Sequence, residues 1–437
     1  MELVLLYTMF LMMGVGIFVS TKVYKKNINP VSIMLVFFLI WLILGRCGFN
    51  GQYKPTAESS IVLMFNMILM CVFVSIGSFS SIPSLKLPSI QKRSVQTKML
   101  NLFRYGALII SIVILINLIR RVLTGGILLT QVRNISYSVA FNSNQYTAIY
   151  YNSVIYYLYQ YIIRGFAFFD IAYGIVSLIH DKKRIKLISL LNFICFIIIM
   201  QSRIEIMKIC VFALLALLLK GIKLTKQQKR YVKRIAIGMT IPIFAIFAVR
   251  TSSGSNVILH SIESFIVDYS GSNYMFSKYY ADFTGGLRLS NYSWVHEFFG
   301  GFGTLFDYFK AIVGIPVGDN SALTAYLGVG TNIGSSTHYN TFYTAFMGFL
   351  DTGGYIGCIA FSALFGLLVG NQYKKYKKYG TVKKMYFSTL FLYIAVMSTY
   401  NYLAAGISST ILFLGTLLIN DRQEDFNGEN KKNRLDR

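Results

Sequence analysis

Apolar residues in this chain come in blocks of about 15–20, separated by short basic clusters. A helix of that length spans a ~30 Å hydrocarbon core, and a helix is one of only two ways a chain can satisfy its backbone polar groups there. The other is a closed barrel, and the strand alternation that a barrel requires is absent. Hydrophobic residues make up 55% of the 437 residues, too many for a soluble domain, whose surface needs more charge. The expectation is an all-α, polytopic integral membrane protein.

About eleven transmembrane helices are expected, at residues 3–20, 31–45, 61–79, 105–123, 161–179, 187–202, 205–219, 235–249, 354–370, 387–403 and 407–420. Four units follow: 1–250 with the first eight helices, 251–353 as one large, partly helical extracytoplasmic loop, 354–420 with the last three helices, and 421–437 as a disordered cytoplasmic tail. The segments Lys22–Asn27, Ser80–Arg104, Asp181–Lys186, Lys220–Arg234, Asn371–Lys384 and the tail then share one side and hold most of the 42 Lys and Arg. That bias puts them in the cytoplasm, with the N-terminus outside. It also accounts for the net charge of +25, and no basic stripe interleaved with aromatics marks a nucleic-acid partner. Cys71, Cys195, Cys210 and Cys358 fall within expected spans and only Cys47 nears an outer surface, so no disulfide framework is expected. The first apolar block lacks a basic leader and a small-residue cleavage site, and reads as a retained helix.

Roughly 100 residues between Arg250 and Gly353 contain no expected span and carry three of the four histidines. Such a segment suits an enzyme working at the outer membrane surface better than a channel. Arginines near that surface are the main chemical signal. Arg203 sits in the tight turn Gln201-Ser202-Arg203 and precedes Glu205, Arg250 closes the eighth span, and Arg133 lies in the polar loop string TQVRNIS. Guanidinium groups bind phosphate through two parallel hydrogen bonds and stay charged near neutral pH. Arg120 and Arg121, ending the fourth span, read instead as side chains snorkelling to lipid phosphates. Arg164 has Asp170 as its candidate partner, at a poor i, i+6 spacing.

His338, in the turn-rich run GSSTHYNT, is the acid–base candidate. His260 and His296 each flank an expected amphipathic helix and have weaker contexts. No HxxxH or cysteine partner suggests a metal site, and Asp282, Asp307 and Asp319 form no DxD pair. The tyrosines between Tyr146 and Tyr161 read as an interfacial aromatic belt, with sugar stacking as the alternative. Gly285-Gly286 and Gly300-Gly301-Phe302-Gly303 read as loop glycines that match no nucleotide fingerprint.

These features resemble the Wzy-type polymerases of bacterial surface polysaccharides (O-antigen, capsule and exopolysaccharide repeat units) and, more distantly, the O-antigen ligases. The resemblance covers nearly the whole chain. It rests on the span count, the dominant late outer loop, and local strings: Asn29-Pro30 before a span containing Trp41, the Ser202-Arg203 turn, Arg250 ending a span, and Asn340-Thr341-Phe342-Tyr343-Thr344 leading to Asp351-Thr352-Gly353-Gly354. It implies inverting glycosyl transfer at the outer face of the cytoplasmic (inner) membrane, with no metal, nucleotide or other cofactor. Undecaprenyl-diphosphate-linked glycans would be donor and acceptor, and a chain-length regulator would be a partner. Arg203 and Arg250 match the family's outer arginines, thought to hold the donor diphosphate, and His338 loosely matches the ligases' loop histidine. Catalysis is therefore expected at His338, Arg250 and Arg203, with substrate contacts from Arg133, Tyr339, Asn340 and Tyr343. Neither Arg133 nor Arg288 begins the Arg-x10-Gly string of some polymerases. A ligase-like transferase is the nearest rival, and a lipid-linked oligosaccharide flippase, which needs ionisable groups at mid-span depth, is the rival from another class.

Overall fold

Asn29-Pro30 sets the start of a helix through local chemistry. The Asn29 side chain accepts from the Ser32 N–H at 2.9 Å, Ser32 Oγ accepts from the Asn29 N–H at 3.0 Å, and Pro30 opens the first turn. Gly48, left-handed at φ 62°, ends the same helix. The structure is a computed structural model that describes residues 2–48, 51–80, 93–128, 131–136, 145–221, 225–233, 257–289, 294–316, 326, 329, 331–334, 338–339, 344–400 and 407–419.

The chain is built from α1 (Glu2–Tyr24), α2 (Pro30–Cys47), α3 (Ala57–Phe79), α4 (Arg93–Leu123), α5 (Val132–Ser136), α6 (Thr147–Tyr150), α7 (Ser153–Leu158), a π-helical turn (Tyr159–Ile163), α8 (Arg164–Asp181), α9 (Leu187–Met200) and α10 (Arg203–Lys220). There follow α11 (Val257–Thr284), α12 (Trp294–Ile312), β1 (Thr331–Asn332), β2 (His338–Tyr339), α13 (Ala345–Tyr379), α14 (Val382–Met397) and α15 (Ile407–Leu414), which runs into a 3-10 turn (Gly415–Leu418). Among the described residues the strands are one two-residue antiparallel pair, with Thr331 opposite Tyr339 and Asn332 opposite His338.

By length and composition, six helical stretches among the described residues can cross a membrane, in α1, α2, α3, α4, α7–α8 and α13. The other expected spans differ for identifiable reasons. The α9 helix has 14 residues, about 21 Å, and α15 breaks into a 3-10 turn. Glu205 and Lys208 put charge into α10. The span expected at 387–403 ends at Met397, where the Ser398 carbonyl turns away to accept from the Ala345 N–H at 2.8 Å. The span expected at 235–249 lies outside the described residues.

Lipid-facing surface is plain on α4. Leu102, Ile109, Ile116 and Leu123 repeat every seventh residue and are 71%, 62%, 60% and 81% exposed. The basic segments gather at one end of the bundle. Lys377 stands against Lys26 and within electrostatic reach of Lys220. Lys374 donates to the Ser80 carbonyl, and Tyr231 donates to the Ile185 carbonyl at 3.0 Å.

Within segment 251–353, α11 packs back onto the helices. Trp41 Nε1–H of α2 donates to the Tyr269 carbonyl of α11 at 3.0 Å, and Ser272 Oγ–H donates to the Thr399 carbonyl at 2.9 Å. Ser270 donates to Gln52 Oε1 at 2.7 Å, and the Thr56 N–H donates to Ser277 Oγ at 2.8 Å. The polar face of α11 thus points inward, and Ser270, Ser272 and Ser277 on it are hydrogen-bonded to neighbouring elements. His260 and His296 lie within α11 and α12 rather than beside them, and Gly300, Gly301 and Gly303 are helical positions of α12, not loop glycines.

Candidate functional site

The end of the bundle opposite the basic cluster holds a buried group of charges. The π-helical turn delivers Gln160 and Arg164 to the head of α8, and the turn Gln201-Ser202, with Gln201 left-handed at φ 45°, starts α10. Glu205, one turn into α10, accepts from Arg164 Nη2 at 2.8 Å and from Lys208 Nζ at 3.0 Å. Glu205 and Lys208 side chains are 5% and 6% exposed, while Arg164 reaches 22%. Two cations surround one carboxylate, so the group carries net positive charge in a place of low dielectric. A cleft of about 40 Å³, lined by Arg164, Glu205, Lys208, Tyr393, Ser408 and Ser409, opens beside it, roomy enough for water. The Tyr393 hydroxyl is buried there without a hydrogen-bond partner.

Gln160 links this group to a larger hollow. Its Oε1 accepts from Arg164 Nη1 at 3.5 Å, and its Nε2 donates to the Ser136 carbonyl at 2.7 Å. Ser136 in turn ties α5 to α9 by donating to the Ile199 carbonyl at 2.9 Å. Beside α5 lies a cavity of about 750 Å³, lined by residues including Arg121, Gln131, Ile135, Gln145 and Tyr151.

A second polar centre lies where α11 meets α13. Asp351 accepts from the Tyr279 hydroxyl and from the Leu289 N–H, the latter at 2.8 Å. Burial first, and the adjoining carboxylate second, push the Tyr279 pKa well up, so the phenol remains a donor. Gly354, at φ 61° and ψ −158°, breaks α13 just after Asp351. Lys278 donates to Thr331 Oγ1 at 2.9 Å, and Tyr53 N–H donates to the Ile333 carbonyl at 2.6 Å. These contacts hold the hairpin that carries His338 over α11 and the α2–α3 turn.

Arg203 is the first residue of α10, two positions before Glu205, and Arg133 is half-buried in α5 between two cavity-lining residues. His338 and Tyr339 form β2. Arg250, Asn340 and Tyr343 lie outside the described residues. The elements that carry Arg203 and His338 have different packing partners: α10 lies against α8 and α14, whereas β2 lies against β1 and α11. The pairing expected between Arg164 and Asp170 is replaced. Asp170 accepts from Arg104 Nε at 2.8 and 3.0 Å and from Nη2 at 2.5 Å, because i, i+6 positions point about 120° apart on a helix. That pair is 0% and 5% exposed at its side chains, so mid-helix charge is present where the sequence suggested almost none. Arg104 itself belongs to α4, not to a cytoplasmic loop. Of the tyrosine cluster, Tyr150, Tyr156 and Tyr159 are core residues, and Tyr151, Tyr157 and Tyr161 are the exposed, belt-like ones. Lys208, Gln160 and Gln145 were not singled out from sequence. The one visible signal was charge inside the otherwise apolar α10, where Glu205 and Lys208 stand at i, i+3.

Comparison with known protein families, with curated proteins and with solved structures finds no match to this chain.

Proposed function

We propose that the chain polymerises undecaprenyl-diphosphate-linked oligosaccharide repeat units at the outer face of a bacterial cytoplasmic membrane. In this reading the chain crosses about eleven times, the basic end of the bundle faces the cytoplasm, and segment 251–353 lies outside. The observation that carries the proposal is the net-positive Arg164–Glu205–Lys208 group, whose Glu205 follows Arg203 by two residues in the first turn of α10. It sits at the end of the bundle away from the basic cluster, among helices with lipid-facing sides.

A glycosyl diphosphate is already activated, so the main task is to stabilise the leaving diphosphate. Preorganised cations in a site of low dielectric do this well. Arg203 and Arg250 hold the donor diphosphate, and Arg164 and Lys208, restrained by Glu205, add positive potential behind it. His338 takes the proton from the acceptor hydroxyl. Two substrates tethered in one membrane gain much of the remaining rate from proximity. Arg133, Tyr339, Asn340 and Tyr343 contact the glycan.

Arg203→Ala and Arg250→Ala are each expected to cut polymer formation by roughly 10²–10³. Surface polysaccharide resolved as a ladder on a gel checks this: single repeat units should reach the surface while long chains vanish. Persistence of long chains with both arginines removed would refute this site. A flippase is the second reading, favoured by the mid-helix Arg104–Asp170 pair. It gains support if deleting the gene abolishes even single-unit display.

A further inference from the structure

The 750 Å³ cavity at the end of α4 lies in the size range of small-ligand sites, about 300–1,000 Å³. Its chemistry is specific. Gln131 and Gln145 offer amides that both donate and accept, Thr147 a hydroxyl, and Arg121 a fixed fork of donors. Ile127 and Ile135, buried at 5% and 6%, supply an apolar patch. The Tyr151 ring, 48% exposed, stands among these groups. Amides, a hydroxyl and one guanidinium around an aromatic face match a molecule with hydroxyls at its edge and C–H bonds on its face.

The backbone beneath that ring is unusual. Tyr151 has φ 64° and ψ −47°, and the Asn152 N–H donates back to the Tyr150 carbonyl at 2.7 Å. This is a γ-turn of the rare, strained hand, which a residue with a Cβ seldom adopts. Its neighbours enforce it. Tyr150 is fully buried, and Asn152 caps α7 by accepting from the Ile155 N–H at 2.9 Å. Glycine would occupy position 151 at lower cost, yet the chain carries a tyrosine whose ring fills no core. Strain of this kind clusters at ligand sites. The cavity is also coupled to the charge group. Its Ile135 wall continues into Ser136, whose carbonyl accepts from Gln160, the partner of Arg164.

We propose that this cavity binds a stretch of oligosaccharide, stacked on Tyr151 and hydrogen-bonded by Gln131 and Gln145. Identifying its source as the glycan of the lipid-linked substrate rests on the polymerase reading. The position suits that role, since a glycan seated here extends from a diphosphate held near Arg203 along the α5 wall.

The test is calorimetric titration of the full-length protein in lipid nanodiscs. The probe is the oligosaccharide pool released by mild acid from the lipid-linked fraction of cells carrying the gene, with inorganic diphosphate as the comparison. Wild type is expected to bind the oligosaccharides. Gln145→Ala and Tyr151→Gly should each weaken binding at least about tenfold, the scale of one lost ligand contact. Tyr151→Gly should melt no lower than wild type, because it relieves strain, whereas a purely structural tyrosine would lower the melting temperature. The proposal is overturned if wild type takes no oligosaccharide, if it takes diphosphate alone, or if both variants bind as wild type does. Failure of the polymerase reading is seen separately, as long-chain surface polysaccharide that survives deletion of the gene.

Discussion

Asp170 has no solvent exposure and, among the described residues, a single cationic hydrogen-bond partner, Arg104, which belongs to another helix. The Asn192 amide donates to the Arg104 carbonyl at 3.1 Å, and Asn101 Oδ1 accepts from both Arg104 and Lys186, so α4, α8 and α9 meet at this charge. Removing one member of a buried pair strands the other. Asp170→Ala is expected to destabilise the protein by about 3–5 kcal/mol, read as a lowered midpoint in thermal unfolding of the solubilised protein. The double variant Arg104→Met with Asp170→Leu should recover most of that loss, because it removes both charges and keeps the volume. If the single variant unfolds as wild type does, the pair is not the lock described here. Sequence pointed to the charge of Asp170 but gave it the wrong partner. Its true partner is 66 residues away, and separations of that kind have no periodic signature. Arg203 shows the opposite case: its turn and its helix start were readable because they are local.

Helix contact in this bundle is closest where side chains are missing. Gly366 and Gly370 of α13, four residues apart, face Gly77 and the backbone of α3. A Cβ at Gly370 would stand 2.1 Å from the Val74 carbonyl oxygen, and one at Gly366 would stand 2.3 Å from that of Met70. Backbone oxygen cannot swing aside as a side-chain tip can, so the helices would have to separate along the contact. Gly370→Ala should cost about 1–3 kcal/mol, and Gly370→Leu should deplete the protein from the membrane fraction, measured by immunoblot against Gly14→Leu, a position with open space around it. Equal abundance of the two leucine variants would show that α3 and α13 do not pack as described. The small-residue repeat is visible in the string GLLVG, but its partner helix is not. The inward packing of α11 was hidden for a related reason. Its Ser270, Ser272, Asn273 and Ser277 lower its hydropathy, and polarity in a sequence is ordinarily read as exposure. Here those residues are 0–2% exposed and face α2, the α2–α3 turn and the end of α14. Helix existence followed from periodicity, whereas the inward direction of a polar face depends on neighbours distant in the chain.

At the scale of the whole molecule, charge and contact agree on one axis. The clusters around Lys26, Lys220 and Lys377 meet at one end, and the Arg164–Glu205–Lys208 group, the large cavity and the His338 hairpin lie toward the other. The bias in Lys and Arg was legible at once, since it depends only on which segments separate the apolar blocks. The convergence of those segments follows from helix direction: each helix that leaves the basic end must return to it. If the basic end faces the cytoplasm, two exposed positions at opposite ends report it directly. Cys47, exposed at the end of α2, should react with a membrane-impermeant maleimide in intact cells once Cys210, the other exposed cysteine, is replaced by alanine. A Lys378→Cys substitution in a chain also lacking Cys47 should react only after the membrane is permeabilised. The reverse pattern would invert the molecule, place the arginine group in the cytoplasm and remove the basis for an outward-facing transferase. Labelling of both positions in intact cells would show that the axis does not cross the bilayer. The expected pattern would leave the large cavity and the charge group on the outer surface, as the proposed polymerase requires.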